Sequence, residues 1–214
     1  MGVLLVIAAI VGMVISIGCF GYMIVSGVRE FGWQKPAPAP AGSLAAPADT
    51  TDRPETVIRR LATLEDHRHA LAAALVNARQ RVVIVSPFIS AGAIKADRID
   101  EQIREAVSRG VAVRIFGDRS LNANDDTGIL DPAASEGICL LQEAGARVQL
   151  LSGVHSKTLA YDNDMIAEGS FNWLSAVRDD RHRHHRHESS LFLFGGEAGQ
   201  MIAQELDRLE RLAA

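Results

Sequence analysis

The first 28 residues carry no charge: 21 are hydrophobic and the other seven are Gly or Ser. Such a run has few places to go. A helix needs roughly 20 residues to cross the hydrocarbon core of a bilayer, and Val3–Val28 supplies 26 uncharged ones. A helix buried in a water-soluble domain would usually keep a polar face, and this run has none. A cleaved leader is the alternative, and the Ala/Pro stretch Pro36–Ala41 resembles a cleavage region. Against it, no Lys or Arg precedes the run, and the run is too long. Trp33, flanked by Arg29 and Lys35, suits the water interface just past a span. Because the basic side chains lie only on its C-terminal side, the rest of the chain is expected in the cytoplasm, at a bacterial inner membrane. Ala8, Gly12 and Ser16 recur every fourth residue. That spacing lets two spans approach closely, though it equally suits a small-residue face turned to lipid.

The organisation expected is therefore a transmembrane helix over residues 1–30, a linker over 31–54 and one domain over 55–214. Pro36, Pro38, Pro40, Pro47 and Pro54, set among Ala, Gly, Ser and Thr, make the linker a partly extended tether. Residues 54–214 hold 19 Lys and Arg against 23 Asp and Glu, so total charge offers no general attraction to nucleic acid or anionic lipid. Any basic footprint must be local. The two cysteines, Cys19 and Cys139, lie in different parts of the chain and imply no disulfide framework.

In the domain, Leu61, Leu64, Leu71 and Leu75 predict a helix over Glu55–Arg79. Strands are predicted at Arg81–Ser86, Val111–Gly117 and Arg147–Leu151. They are separated by helices over Ile99–Arg109 and Pro132–Ala144, which stop at Gly110 and Gly145. Two short strands, Lys157–Tyr161 and Met165–Glu168, read as a hairpin through Asp162–Asp164. A helix is expected to open near Phe171, then a strand over Ser190–Phe194 and a helix over Glu197–Leu212. The alternation indicates an α/β domain with a mixed, largely parallel sheet flanked by helices.

The chemistry concentrates in one stretch, HSKTLAYDNDMIAEGSFN, from His155 to Asn172. Residues i and i+2 of a strand share a face, so His155 and Lys157 present an imidazole beside an ammonium. A phosphodiester needs a nucleophile and positive charge on its non-bridging oxygens, and this pair supplies both. Gly169 allows close backbone approach. Ser170 and Asn172 add neutral donors at the expected start of a helix, where anions are favoured. Asp162 falls on the other face and is expected to hold the loop. Asp125-Asp126 reads as a polar loop, and Ser86-Pro87-Phe88 lies where a cleft wall could pass, with no role assigned.

The pattern HxK-x4-D-x6-GSxN resembles the signature of the phospholipase D superfamily, with every spacing met, and the likeness extends over about residues 55–214. It implies a metal-independent phosphodiesterase without a cofactor. One histidine attacks phosphorus; a second protonates the leaving oxygen and then activates water. The resemblance makes His155 and Lys157 catalytic, with Lys157, Ser170 and Asn172 on the substrate phosphate and Asp162 and Gly169 as structural members of the motif. It also implies an acidic residue that sets the histidine tautomer, expected at Glu188.

Two HxK motifs are required and this chain has one; His67-Arg68-His69 does not match. The implied solution is a two-fold homodimer that completes the site. The small bacterial endonucleases of the family, and a membrane-anchored member on mitochondria, are built in that way.

One segment departs from the family pattern. Between Arg178 and His187 stands RDDRHRHHRH, with four arginines and four histidines. Arg178, Arg181, Arg183 and Arg186 are candidate contacts to a nucleic-acid backbone, DNA or RNA; a solvated loop or histidine metal binding are the other readings. Three functions are open: a nuclease at the membrane surface, a phospholipase D or cardiolipin hydrolase, and a catalytically idle nucleic-acid-binding module. No amphipathic interfacial helix or aromatic patch supports the lipid reading, and the intact motif argues against the idle one.

Overall fold

The computed structural model describes residues 55–213. The expected membrane span through residues 3–28 and the linker lie outside the described residues. Among the described residues, no helix is long and apolar enough to cross a membrane.

Seven strands form one sheet: β1 (Val57–Leu61), β2 (Arg81–Val85), β3 (Ala112–Asp118), β4 (Arg147–Leu151), β5 (Thr158–Tyr161), β6 (Met165–Gly169) and β7 (Ser190–Phe194). Their order across the sheet is β1-β7-β6-β5-β2-β3-β4. Helices α1 (Leu64–Asn77), α2 (Ala91–Ala96), α3 (Ile99–Ser108), α4 (Pro132–Glu143) and α5 (Ala198–Ala213) complete the domain.

The sheet is mixed, and the expectation of a largely parallel one is corrected. Only β2–β3 and β3–β4 pair in parallel; the other four pairings are antiparallel. Helical crossovers join β2 to β3 and β3 to β4, as parallel neighbours require. The hairpin β5–β6 then reverses direction, and β7 and β1 continue the antiparallel half.

The N-terminal helix is also corrected. Residues 57–61 form edge strand β1, and α1 begins at Leu64. The helix start is set by a capping box. Thr63 Oγ1 accepts the Asp66 N–H at 3.0 Å, and the Asp66 carboxylate accepts the Thr63 N–H at 2.9 Å. The helix expected near Phe171 is absent. Leu174 N–H donates to Ser86 Oγ at 3.1 Å, and Leu174 O accepts Ser90 N–H at 3.0 Å. That backbone is committed to a bridge with Ile89, which leaves only one turn around Asn172.

Alternation along the central strands feeds two cores. Val83, Val85, Phe116, Ala160 and Ile166 pack with Ile202 and Leu209 of α5. Val82 and Ile84, on the opposite face, are fully buried on the side of α1, α3 and α4. Each such aliphatic side chain contributes about 1.5–3 kcal/mol of transfer free energy. Gly110 and Gly145 adopt φ of 87° and 95°, closing α3 and α4 as their sequence positions predict.

Candidate active site

The ends of β1, β2, β3 and β6 meet the beginnings of β5 and β7 along one edge of the sheet. Register places Val85 beside Thr158, Thr158 beside Glu168, Gly169 beside Ser190 and Ser190 beside Leu61. The motif residues therefore converge although they are distant in sequence.

His155 and Lys157 come together as expected, on the extended approach to β5 rather than within it. His155 is exposed. Lys157 Nζ lies 3.4 and 3.5 Å from the two imidazole nitrogens and donates to His155 O at 2.8 Å. Lys157 is only 9% exposed. Burial pushes its pKa below the ordinary 10.5, and the Glu188 carboxylate opposes that shift. Between them, Ser156 turns to α5, where its hydroxyl accepts from Arg208 Nη2 at 2.7 Å. The loop is also fixed from behind, because Asp118 Oδ2 accepts the Val154 N–H at 2.8 Å. Burial alone would raise the Asp118 pKa. Hydrogen bonds from the Ser120 hydroxyl and the Leu121, Val154 and Ser120 amides outweigh it and keep the carboxylate ionised.

Asp162 holds a loop, as expected. Its carboxylate accepts the backbone N–H groups of Arg79, Gln80 and Arg81 at 2.9, 2.8 and 2.9 Å. It thereby ties the β5–β6 turn to the chain between α1 and β2.

Gly169 is a close-approach position. A Cβ there would stand 2.2 Å from Ser189 O and 2.5 Å from Ser190 Cα. Ser170 is stitched to the start of β7: its N–H donates to Ser189 O at 3.0 Å, and its Oγ accepts the Ser189 N–H at 3.1 Å. Asn172 is half-buried, and its side-chain oxygen is buried without a hydrogen-bond partner. With no helix at Phe171, the polar groups this loop offers are the side chains of Ser170 and Asn172, not a helix terminus.

Glu188 is half-buried at the entry to β7. Its charge reaches Lys157 and His67 and partly offsets the lowering that burial imposes on the pKa of each. No hydrogen bond joins it to His155 among the described residues. It lines a cleft of about 290 Å³ with Thr63, Leu64, Phe171 and Arg186. His155 is not part of that cleft's lining.

The insert divides into two parts. Arg178 is corrected: it is an internal residue. Its Nε lies 2.5 Å from Asp97 Oδ2, with side chains only 7% and 8% exposed. It also donates to the carbonyls of Ala176 and Trp173 and lies over the Phe171 ring at 5.3 Å. Desolvation selects the pairing, because an unpaired guanidinium could not be buried there. Arg181, Arg183 and Arg186 are exposed. Arg183 Nε donates to His184 Nε2 at 2.9 Å, and His184 N–H donates to His182 Nδ1 at 3.2 Å.

Sequence reasoning passed over His67. It is fully buried and stacks on Phe171 with ring centroids 4.3 Å apart. Nδ1 lies 2.7 Å from Thr63 O, which can only accept, so Nδ1 carries the proton. Burial lowers its pKa and keeps the ring neutral, so Nε2 accepts the Ser190 hydroxyl at 3.0 Å. The ring thus joins α1 to both the GSFN loop and β7. No sequence signal marked it, because its only pattern, HRH, lacks the lysine.

Comparison with known proteins bears on the family and the fold. A family model described as cardiolipin synthase, PLD-like domain, matches residues 71–209. No curated protein sequence matches the chain. Among solved structures, the phospholipase D family member Nuc from Salmonella typhimurium superposes with a TM-score of 0.57 at 18% identity, covering 74% of this chain and 94% of Nuc. NucT from Helicobacter pylori gives 0.56 at 18% identity, covering 74% and 96%. Phosphatidylserine synthase from Haemophilus influenzae gives 0.56 at 12% identity, covering 70% of this chain but 36% of the synthase. A motif assembled at one sheet edge, and a family model spanning more than half of the chain, establish that this protein belongs to the phospholipase D superfamily of phosphodiesterases.

Proposed function

We propose that the protein is a membrane-tethered nuclease that cleaves DNA or RNA through a phosphohistidine intermediate, in a site completed by a second copy of the chain. One observation carries this reading: an exposed imidazole 3.4 Å from a buried ammonium, present once. His155 attacks phosphorus as Lys157, Ser170 and Asn172 hold the non-bridging oxygens. The P–O bond to the leaving strand breaks, and that oxygen takes a proton from His155 of the partner subunit. The same partner imidazole then removes a proton from water, whose oxygen attacks phosphorus and frees His155. The two-histidine cycle supplies nucleophile, acid and base without a metal. Glu188 orients an imidazole across the cleft; it makes no bond to His155 of its own chain. The apolar run at residues 3–28 anchors the enzyme at the inner membrane with the catalytic domain in the cytoplasm. Restriction to a plane also raises the encounter rate of two half-sites.

A second reading has its own support. The matching family model is described by cardiolipin synthase, and one fold relative is a phosphatidylserine synthase, so lipid phosphodiester turnover is the alternative. The exposed arginines of the insert favour nucleic acid. The test incubates wild type and His155→Ala with labelled single- and double-stranded DNA, RNA and cardiolipin liposomes, with chelator present. Nucleic-acid cleavage that the variant loses supports the nuclease. Lipid turnover alone supports the alternative, and sensitivity to chelator refutes the metal-free cycle.

A further inference from the structure

Arg60 stands at the site's edge with no role in the motif. It lies near the end of β1, beside Leu61, which pairs with Ser190 of β7, which in turn pairs with Gly169 of β6. Neighbouring strands are about 4.8 Å apart, so β1 lies two strands, or about 10 Å, from the GSFN glycine. The Arg60 side chain is exposed, and Nη1 donates to Ser189 Oγ at 3.4 Å. Ser189 is itself bonded to Ser170 through its N–H and its carbonyl. A continuous polar strip therefore runs from Ser170, through Ser189, to a guanidinium.

That guanidinium is largely unspent. Of its five N–H donors, one makes a long bond to a hydroxyl, and no carboxylate pairs with it among the described residues. Some other arginines are neutralised in place: Arg68 and Arg178 by Asp97, Arg114 by Glu210, Arg208 by Glu205. The insert bearing the exposed Arg181, Arg183 and Arg186 runs in sequence directly into Glu188 and Ser189.

We propose that Arg60 binds a backbone phosphate neighbouring the one at His155, so that the site engages consecutive phosphates of a polynucleotide. This inference rests on the nuclease reading and deepens it. A planar fork suits bidentate contact with phosphate oxygens. A polymer carries repeated phosphates past the scissile one for such a fork to take, whereas a lipid with a single phosphodiester carries none and cardiolipin only one more. Ile58 and Leu191, 63% and 50% exposed, flank Arg60 on the same sheet face; they define the competing outcome, contact with a lipid surface.

The experiment uses the full chain in detergent, as wild type, Arg60→Gln and Arg60→Lys, on single-stranded substrates of 2, about 6 and about 20 nucleotides. The ratio of variant to wild-type KM should grow with length for Arg60→Gln, to about 3- to 10-fold on the longest at moderate salt, as for one exposed charge-assisted contact. The slope of log KM against log salt should shrink by about 0.7. Arg60→Lys should recover part of the loss. A ratio independent of length would place Arg60 at the scissile phosphate or in holding Ser189, and would overturn the inference, as would an unchanged KM. Loss of binding to phosphatidylglycerol vesicles with oligonucleotide KM unchanged would overturn it in favour of lipid. In each of these cases wild-type cleavage leaves the nuclease reading intact. Absence of wild-type cleavage at every length would sink both.

Discussion

Asp162 belongs to the family motif yet does no chemistry in this account, and its removal gives a graded prediction. Its carboxylate accepts three backbone N–H groups, from Arg79, Gln80 and Arg81, and its own backbone sits at φ 50°. Hydrogen bonds to a charged acceptor contribute about 1.5–3 kcal/mol each, but three on one carboxylate do not add fully, and the freed amides regain some water. A non-Gly, non-Asx residue at positive φ costs about 1–2 kcal/mol more. Asp162→Ala should therefore lose about 3–5 kcal/mol, which for a domain of this size lowers Tm by roughly 6–20 °C. Asp162→Gly removes the same bonds without the backbone strain and should lose about 1 kcal/mol less, less what glycine adds in chain entropy. Asp162→Asn tolerates the dihedral and keeps Oδ1 on Gln80 and Arg81, but turns an amide donor toward the Arg79 N–H, and should lose about 1–3 kcal/mol. Urea denaturation of each variant, with phosphodiesterase activity normalised to the folded fraction, separates the terms. Wild-type stability in Asp162→Ala would refute the reasoning. So would a stable but inactive Asp162→Asn, because that would put the carboxylate in the chemistry.

Gly169→Ala should be more damaging to activity than its size suggests. Its Cβ meets the Ser189 carbonyl at 2.2 Å, so β7 must shift from the site; overpacking of about 1–3 kcal/mol by thermal melting and loss of turnover are expected. Arg178→Ala should cost about 3–5 kcal/mol by leaving Asp97 with only Arg68, whereas Arg181→Ala and Arg183→Ala should leave Tm within about 1 °C and weaken oligonucleotide binding measured by anisotropy. Lys157 gives a pH signature. Its folded pKa is depressed below 10.5, so its charge is lost earlier as pH rises, and KM should climb on the alkaline side before an exposed lysine would titrate. Between the two pKa values the unfolded chain binds more protons, so this group's contribution to stability rises with pH there. Lys157→Arg should abolish the alkaline climb in KM, and persistence of the climb would assign it to another group.

Much of the fold was legible because local rules and tertiary context agreed. The apolar runs at β2 and β3, the glycines after α3 and α4 and the β5–β6 turn all formed where read. β1 was missed because VIRRL has two exposed arginines and no alternation, as an edge strand permits. The capping box at Thr63–Asp66 was the signal available for the true helix start. Strand direction failed for a different reason: β5, β6, β7 and β1 assemble antiparallel through pairings that no short window encodes. The site was legible as residue types and spacing, since His155, Lys157, Gly169 and Ser170 gather at one edge. What local reading could not weigh was burial. Arg178 and Arg181 look alike in sequence, but only the first has Asp97, distant in the chain, beside it. His67 is the mirror case, a histidine whose partners, Thr63 and Ser190, become neighbours through α1 and β7.

The central claim is that a single His155 makes half a site. Wild type and His155→Ala carrying different tags can be co-expressed in varied proportion and the pooled protein assayed per total chain. If both imidazoles of a random two-fold dimer are needed, activity follows the square of the wild-type fraction, and an equal mixture retains about a quarter of full activity. A straight-line dependence, with about half retained, would mean that each chain works alone and would contradict the account.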